Sequence, residues 1–244
     1  MNVRITLATV KRVLQQLRAD HRTMGLIVMV PALLITLLYF VFNDARVFDR
    51  IALTMLGILP MLVMFLVTSV AMLRERTSGT LERLLTTPLH RADLLVGYAF
   101  AFAFAAFVQG LVLVVVTHWL LGVDPSGPIT WALLVAVVGS IVGVATGLLA
   151  SAFARTEFQA VQFMPLVIGP QIFLCGLLAP RDGMPKVLHW LSDALPMTYA
   201  VRALQAIGAQ TDPSGDVLRN GGVLALFAVG ALALAALSMP RQTR

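Results

Sequence analysis

The side chains that most often carry covalent or metal chemistry are few in this sequence, and they lie far apart. Its 244 residues include one cysteine, Cys175, and four histidines, His21, His90, His118 and His189, each in a different segment. No H-E-x-x-H run and no Cys/His cluster occurs, and a single cysteine cannot form an intrachain disulfide. The sequence therefore predicts no catalytic residue and no metal site.

The sequence also lacks the common ATP-binding motif, the P-loop. A P-loop needs the pattern G-x-x-x-x-G-K-[ST], whose backbone amides and lysine hold the phosphates of ATP. The pattern does not occur, and the only two lysines are Lys11 and Lys186. We therefore expect no cofactor in this chain.

One charged segment, residues 74–93, interrupts an otherwise apolar sequence. It reads RERTSGTLERLLTTPLHRAD. Residues 77–80 supply a turn and candidate helix caps, Leu81, Leu84 and Leu85 form one apolar face, and Pro88 ends the helix. A two-turn helix without a core needs a surface to dock on. That surface is either the lipid headgroups or a protein partner.

The rest of the composition indicates a membrane protein. Hydrophobic residues make up 59% of the chain and charged residues 12%, against roughly 45–50% and 25% in soluble domains. Six apolar stretches approach the ~20 residues that a helix needs to cross ~30 Å of hydrocarbon: 25–42, 51–73, 94–121, 131–154, 159–179 and 221–239. We predict an all-α integral membrane protein with six transmembrane helices in a single transmembrane domain, 1–244.

The distribution of lysine and arginine predicts the orientation. Twelve of these residues lie in the N-terminal segment, the 74–93 segment, the loop after the fourth span and the C-terminal residues, and six lie in the other loops. Cytoplasmic loops carry the excess of positive charge. Both termini and residues 74–93 should therefore face the cytoplasm, which agrees with an even number of spans.

Two further segments are amphipathic without spanning. Residues 1–22 should form an interfacial helix with Val3, Leu7, Val10, Leu14 and Leu17 on its apolar stripe; a short helix packed on a soluble partner is the alternative. Residues 180–220 should lie outside as an extracellular or re-entrant segment, with two short helices broken at Pro196. A small extracellular cap is the alternative there.

Glycines in the fourth span form a ridge of small residues. Gly139, Gly143 and Gly147 recur at every fourth position, and such a ridge lets a second helix approach closely. We favour packing within the bundle over a dedicated dimer contact.

The polar side chains inside the predicted spans are neutral. Carriers driven by ions usually bury a charged residue in a span, and none of the six stretches has one in its interior. The internal polar groups include Gln109, Gln159, Gln162 and Gln171. The pattern favours a transporter whose energy arrives from elsewhere.

Two stretches resemble those of type-II ABC exporter permeases, closest to the daunorubicin-resistance type. RERTSGTLERLLTTPLHRADLLVG resembles the cytoplasmic segment between their second and third spans, and GLLAPRDGMPKVLHWLSDALPMTYAVRAL resembles the link before their last span. The resemblance implies two paired permease chains, as a homodimer or heterodimer, each docked on a separate ATPase subunit that holds Mg-ATP. It implies the bacterial inner membrane and no nucleic acid.

The resemblance also assigns residues. The ATPase-coupling contact would be made by Glu75, Arg76, Gly79, Thr80, Leu81, Glu82, Leu85 and Pro88. The translocation path or gate would include Gln159, Gln162 and Gln171. The implied function is efflux of a hydrophobic or amphiphilic small molecule, a drug, antibiotic or lipid. Export of a lipid-linked glycan is the alternative, and an ion-coupled secondary carrier a weaker one.

Overall fold

The computed structural model describes residues 3–42, 44–78 and 91–238. Within these ranges the chain forms helices and no strand. The helices are α1 Val3–Ala19, α2 His21–Val41, α3 Ala45–Thr77, α4 Arg91–Val114 with a π-helical continuation Val115–Leu120, α5 Ile129–Phe153, α6 Glu157–Val167, α7 Gly169–Leu174, α8 Lys186–Asp193, α9 Pro196–Ala209 and α10 Ser214–Ser238. A 3₁₀ turn covers Arg181–Gly183.

Five helices of the described chain are long and apolar enough to cross a membrane: α2, α3, α4 with its continuation, α5 and α10. The predicted fold class, an all-α integral membrane protein, is confirmed. The count of six spans is not confirmed, because the predicted fifth span, 159–179, is divided into α6 and α7. The predicted last span also begins earlier than expected, at Ser214.

The division of the predicted fifth span follows from its prolines. Pro165 and Pro170 cannot donate backbone hydrogen bonds, and Gly169 adds freedom between them. The helix axis is interrupted at Ile168, although Ile168 N still donates to Met164 O at 2.8 Å and Ile172 N to Ile168 O at 3.1 Å. Helical structure ends at Leu174. Hydropathy alone does not register this break.

The centre of the bundle is α3. In its most apolar stretch 78% of the residues are buried, against 17% in α2 and 22% in α10. Its largest contact is with α5, whose glycine ridge faces it. A β-carbon on Gly143 would overlap the backbone of Met61, and one on Gly147 would overlap the Thr68 hydroxyl. The ridge thus packs α5 on α3 of the same chain.

Helix α1 docks on the bundle through a stripe that coincides with the predicted one only in part, since Leu17 is buried and Val10 and Leu14 are partly buried. Thr6, Thr9, Val13 and Leu17 are buried, whereas Leu7 is 61% exposed. The stripe is rotated because α4 offers Gly97 to Thr9: a β-carbon on Gly97 would lie 2.7 Å from the Thr9 side chain. Close approach of backbones outweighs the burial of larger residues here.

Residues 180–220 contain α8 and α9 on either side of the predicted break at Pro196, followed by the first turns of α10, and α8 and α9 lie in different environments. Helix α8 exposes Val187 and Trp190. Helix α9 is packed inside the bundle against α3, α5 and α10, with Val201 and Leu204 fully buried. Only part of this segment is therefore a surface element.

A candidate coupling site at the end of α3

The last turns of α3 carry the two predicted coupling residues that the structure describes, Glu75 and Arg76. The other predicted coupling residues, Gly79, Thr80, Leu81, Glu82, Leu85 and Pro88, lie outside the described residues. At 1.5 Å per residue, the 33 residues of α3 extend about 50 Å, well beyond ~30 Å of hydrocarbon. One end of α3 must therefore project from the membrane core.

Glu75 joins α3 to α1 and α4. Its carboxylate accepts hydrogen bonds from Arg12 Nη1 at 3.4 Å and Gln16 Nε2 at 3.3 Å. Arg12 also donates from Nη2 to the Tyr98 hydroxyl at 2.9 Å, and its guanidinium lies 5.8 Å from the centre of the Tyr98 ring. The Glu75 side chain is only 12% exposed. A buried carboxylate of this kind needs its cationic partner.

Arg74 reaches in another direction, to the start of α6. Its guanidinium binds both carboxylate oxygens of Glu157, at 2.8 and 3.0 Å. The hydrogen bond from Arg74 lowers the pKa of Glu157, and partial desolvation opposes this only in part. Both side chains are more than half exposed, at 58% and 51%, so the pair orients α6 more than it stabilises the fold.

Arg76 reaches a third element. Its guanidinium donates to the carbonyl oxygen of Ser151 near the end of α5. Successive residues of an α-helix point about 100° apart, so three consecutive side chains can address three sides of one helix. Residues 74, 75 and 76 do so, binding α6, α1 with α4, and α5. The end of α3, just before residues 79–90, is fixed to four other helices.

A cavity of about 830 Å³ lies beside this site, between α1, α2, α3, α4 and α6. Its walls are mostly apolar, and Asp20, Arg74, Glu75 and Glu157 stand among its lining residues. Asp20 caps α2, accepting from the Thr23 backbone N at 3.1 Å and the Thr23 hydroxyl at 2.6 Å. The hydrogen bond from the Thr23 hydroxyl is the main cause of the lowered pKa of Asp20.

The structure does not bring the three predicted path glutamines together. Gln159 and Gln162 are exposed in the first turns of α6, and Gln159 Oε1 accepts from Arg155 N at 2.9 Å, completing a cap with Thr156. Gln171 is buried in α7. Its Nε2 donates to Val167 O at 2.8 Å, and its Oε1 accepts from Met197 N at 3.2 Å. Gln171 thus ties α7 to α9.

Sequence reasoning missed a second charged cluster, centred on Asp193 at the end of α8. Asp193 Oδ1 accepts from Arg181 at 2.7 Å and from Arg202 at 3.1 Å, and Oδ2 lies 3.2 Å from His189 Nδ1. The side chain of Arg181 is buried. The sequence has Arg181, Lys186 and His189 near Asp193, but no local pattern marks this aspartate as the acceptor for a buried arginine.

Neither of these two charged clusters has the residues of a metal site. Across residues 3–42, 44–78 and 91–238, no group of three or more His, Cys, Asp or Glu side chains could hold a metal ion. The Cys175 thiol is buried. Ion pairs that join helix ends can fix the relative positions of those helices, which is a mechanical role.

Comparison with known proteins identifies a family and several relatives of this chain. Residues 5–208 match the family described as ABC-2 type transporter. The linearmycin resistance permease protein LnrN of Bacillus subtilis (strain 168) is 31% identical over 157 residues, 64% of this chain and 40% of that protein. The probable multidrug ABC transporter permease YbhS of Escherichia coli (strain K12) is 29% identical over 143 residues, 58% of this chain and 38% of that protein.

A eukaryotic protein is similar over the same extent of this chain. ABC transporter G family member 20 of Dictyostelium discoideum is 29% identical over 141 residues, which are 58% of this chain and 19% of that protein. The matched regions cover less than half of each relative. The family match itself extends over most of the present chain, and the apolar helices make it a multi-pass membrane protein. This chain belongs to the ABC-2 type transporter family.

Proposed function

We propose that this chain is the membrane permease subunit of an exporter for hydrophobic or amphiphilic small molecules, such as drugs, antibiotics or lipids. A separate ATPase subunit binds and hydrolyses Mg-ATP, since this sequence contains no P-loop. The family match and the names of two relatives, which refer to linearmycin resistance and probable multidrug transport, support the cargo class.

The observation that carries the proposal is the anchoring of the end of α3. Residues 74–76 hold that end to α1, α5 and α6. Residues 79–90 follow directly and would dock on the ATPase through Leu81, Glu82 and Leu85. A displacement of that docked segment would pull on α3, and the bonds at 74–76 would pass it to the neighbouring helices together.

The proposed orientation has both termini in the cytoplasm and the chain in the bacterial inner membrane, paired with a second permease chain. An even number of crossings requires that α6 and α7 together supply one. Residues 159–174, the helical part of the predicted fifth span, extend about 24 Å at 1.5 Å per residue, somewhat less than the ~30 Å thickness of the hydrocarbon, and Glu157 then lies outside it. The exposed Gln159 and Gln162 would then stand at the cytoplasmic mouth of the path.

The test is transport in proteoliposomes that contain this chain with its cognate ATPase. We expect ATP-dependent movement of a fluorescent amphiphile, and no ATP hydrolysis from this chain alone. Replacing both Glu82 and Leu85 by alanine should abolish transport while the purified chain unfolds at an unchanged temperature. Transport at the original rate by that double variant would refute the coupling assignment. Transport driven by a proton gradient without ATP would refute the proposed energy source.

A further inference from the structure

A second cavity, of about 390 Å³, lies at the other end of α3 from Glu75. It is enclosed by the first turns of α3, the turn 176–180 and one residue of α9. Its size lies near the lower end of the roughly 300–1,000 Å³ of small-molecule sites. The lining residues are Arg46, Val47, Arg50, Ile51, Thr54, Gly176, Leu177, Leu178, Ala179, Pro180 and Gln205.

The charged groups of this cavity are of one sign. Arg46 and Arg50 line it four residues apart, hence on the same face of α3, and no acidic residue is among the lining. Within the described chain neither guanidinium has an ion pair or a side-chain hydrogen bond. A guanidinium stays charged at any ordinary pH. Two neighbouring positive charges repel each other, and an anion bound between them would relieve this repulsion.

The wall of the cavity opposite α3 is the turn 176–180, and Arg181 supports it. The turn 176–180 begins at Gly176, whose φ of +94° favours glycine, and a β-carbon there would meet Arg181 Cγ at 3.3 Å. Arg181 is in turn fixed by its 2.7 Å bond to Asp193. The cavity therefore has a definite shape as well as a charge.

The remaining lining is apolar with two neutral polar groups. Val47 and Leu178 are exposed along its edge, where an alkyl chain could lie. Gln205 offers an amide, while the Thr54 hydroxyl already donates to Arg50 O at 2.9 Å. The arrangement thus combines a dicationic end with an apolar edge.

We propose that this cavity binds a phosphate group through Arg46 and Arg50. The planar guanidinium matches phosphate oxygens with paired hydrogen bonds, which a single ammonium cannot do. Two sources share this chemistry, the headgroup of a phospholipid and free phosphate. The apolar edge at Val47 and Leu178 gives the acyl chain of a phospholipid a place to lie.

The test is a titration of the purified chain in detergent, with the unfolding temperature followed by intrinsic fluorescence. The probes are phosphatidylglycerol, diacylglycerol as the phosphate-free lipid, and inorganic phosphate. A ligand that binds the folded state raises the unfolding temperature with concentration, which gives an apparent Kd. We expect phosphatidylglycerol to do so and diacylglycerol not to. An equal rise with inorganic phosphate alone would identify free phosphate as the source.

Variants decide whether the arginines are responsible. Arg46→Gln and Arg50→Gln should each weaken binding roughly tenfold, the usual worth of a hydrogen bond to a charged group. The matched control is Arg219→Gln, an exposed arginine outside this cavity, which should leave the Kd unchanged. Arg46→Lys should lie between the original and the glutamine variant.

Three outcomes would overturn the proposal. They are the absence of any rise with either phosphate probe, an equal rise with diacylglycerol, and an unchanged Kd in the Arg46→Gln/Arg50→Gln double variant. Since both arginines are exposed, the unfolding temperature without added lipid should be the same in all variants. Loss of binding is thereby separated from loss of folding.

Discussion

Glu75→Gln removes the negative charge that Arg12 binds and leaves the shape of the side chain nearly unchanged. At 3.4 Å and an effective dielectric constant of about 20, the charge pair is worth roughly 5 kcal/mol before desolvation. Arg12 is 29% exposed and Glu75 12%. The pair therefore lies between exposed pairs, worth about 0–1 kcal/mol, and fully buried ones, which cost about 3–5 kcal/mol to break. We expect a loss of about 2 kcal/mol.

The assay is a double-mutant cycle on unfolding in detergent, with Arg12→Gln, Glu75→Gln and the double variant. A loss of about 2 kcal/mol corresponds to a fall of about 4–8 °C in the unfolding temperature of a protein of this size. The coupling energy of the cycle should be about 1–2 kcal/mol, because residues in contact are not additive.

The control cycle uses Arg74→Gln and Glu157→Gln. That pair has better geometry but is 58% and 51% exposed, so its coupling energy should stay below about 0.5 kcal/mol. A coupling energy for Arg12 and Glu75 no larger than that of the control would refute the conclusion that Glu75 ties α1 to α3.

Three further results are expected in the same unfolding assay. Gly143→Ala should cost about 1–3 kcal/mol, because the added methyl overlaps the backbone of α3, whereas Gly230→Ala, which meets nothing within 4 Å, should cost no stability. Asp193→Asn should cost about 2–3 kcal/mol, since it leaves a buried arginine without its anion. The hydrogen bond from Arg74 lowers the pKa of Glu157. The stabilisation that the folded state gains from this bond is therefore fully present above the ordinary carboxyl pKa and is lost as the pH falls through the lowered value. The small stability difference between the original chain and Glu157→Gln should therefore shrink as the pH falls below the ordinary carboxyl pKa of about 4.3 and vanish once the pH lies below the lowered value.

The features that sequence analysis identified are those carried by local pattern. Hydropathy located α2, α3, α4, α5 and α10, because crossing a bilayer requires a long apolar helix whatever its neighbours are. The spacing of Gly143 and Gly147 predicted close helix packing, since only a missing side chain lets backbones approach.

The features that it missed depend on distant parts of the chain. Arg12 and Glu75 are 63 residues apart, and each looks like ordinary surface charge on its own helix. The apolar side of α1 was assigned to lipid, but the small residue Gly97 on α4 draws Thr9 inward. The interruption at Ile168 arises from Pro165, Gly169 and Pro170 together, and an average of hydropathy does not detect missing backbone hydrogen bonds.

In the proposed coupling, residues 79–90 at the end of α3 lie in the cytoplasm and dock on a separate ATPase subunit. This coupling is tested most directly by placing one cysteine at Leu85 in a chain whose only cysteine, Cys175, has been replaced by alanine. In inside-out membrane vesicles that contain the cognate ATPase, we expect a membrane-impermeant thiol cross-linker to join this position to the ATPase. We expect Glu75→Gln to preserve that cross-link while ATP-driven transport falls. Reaction of the Leu85 position only in right-side-out vesicles, with no cross-link to the ATPase, would place this segment outside the cell and refute the proposed coupling.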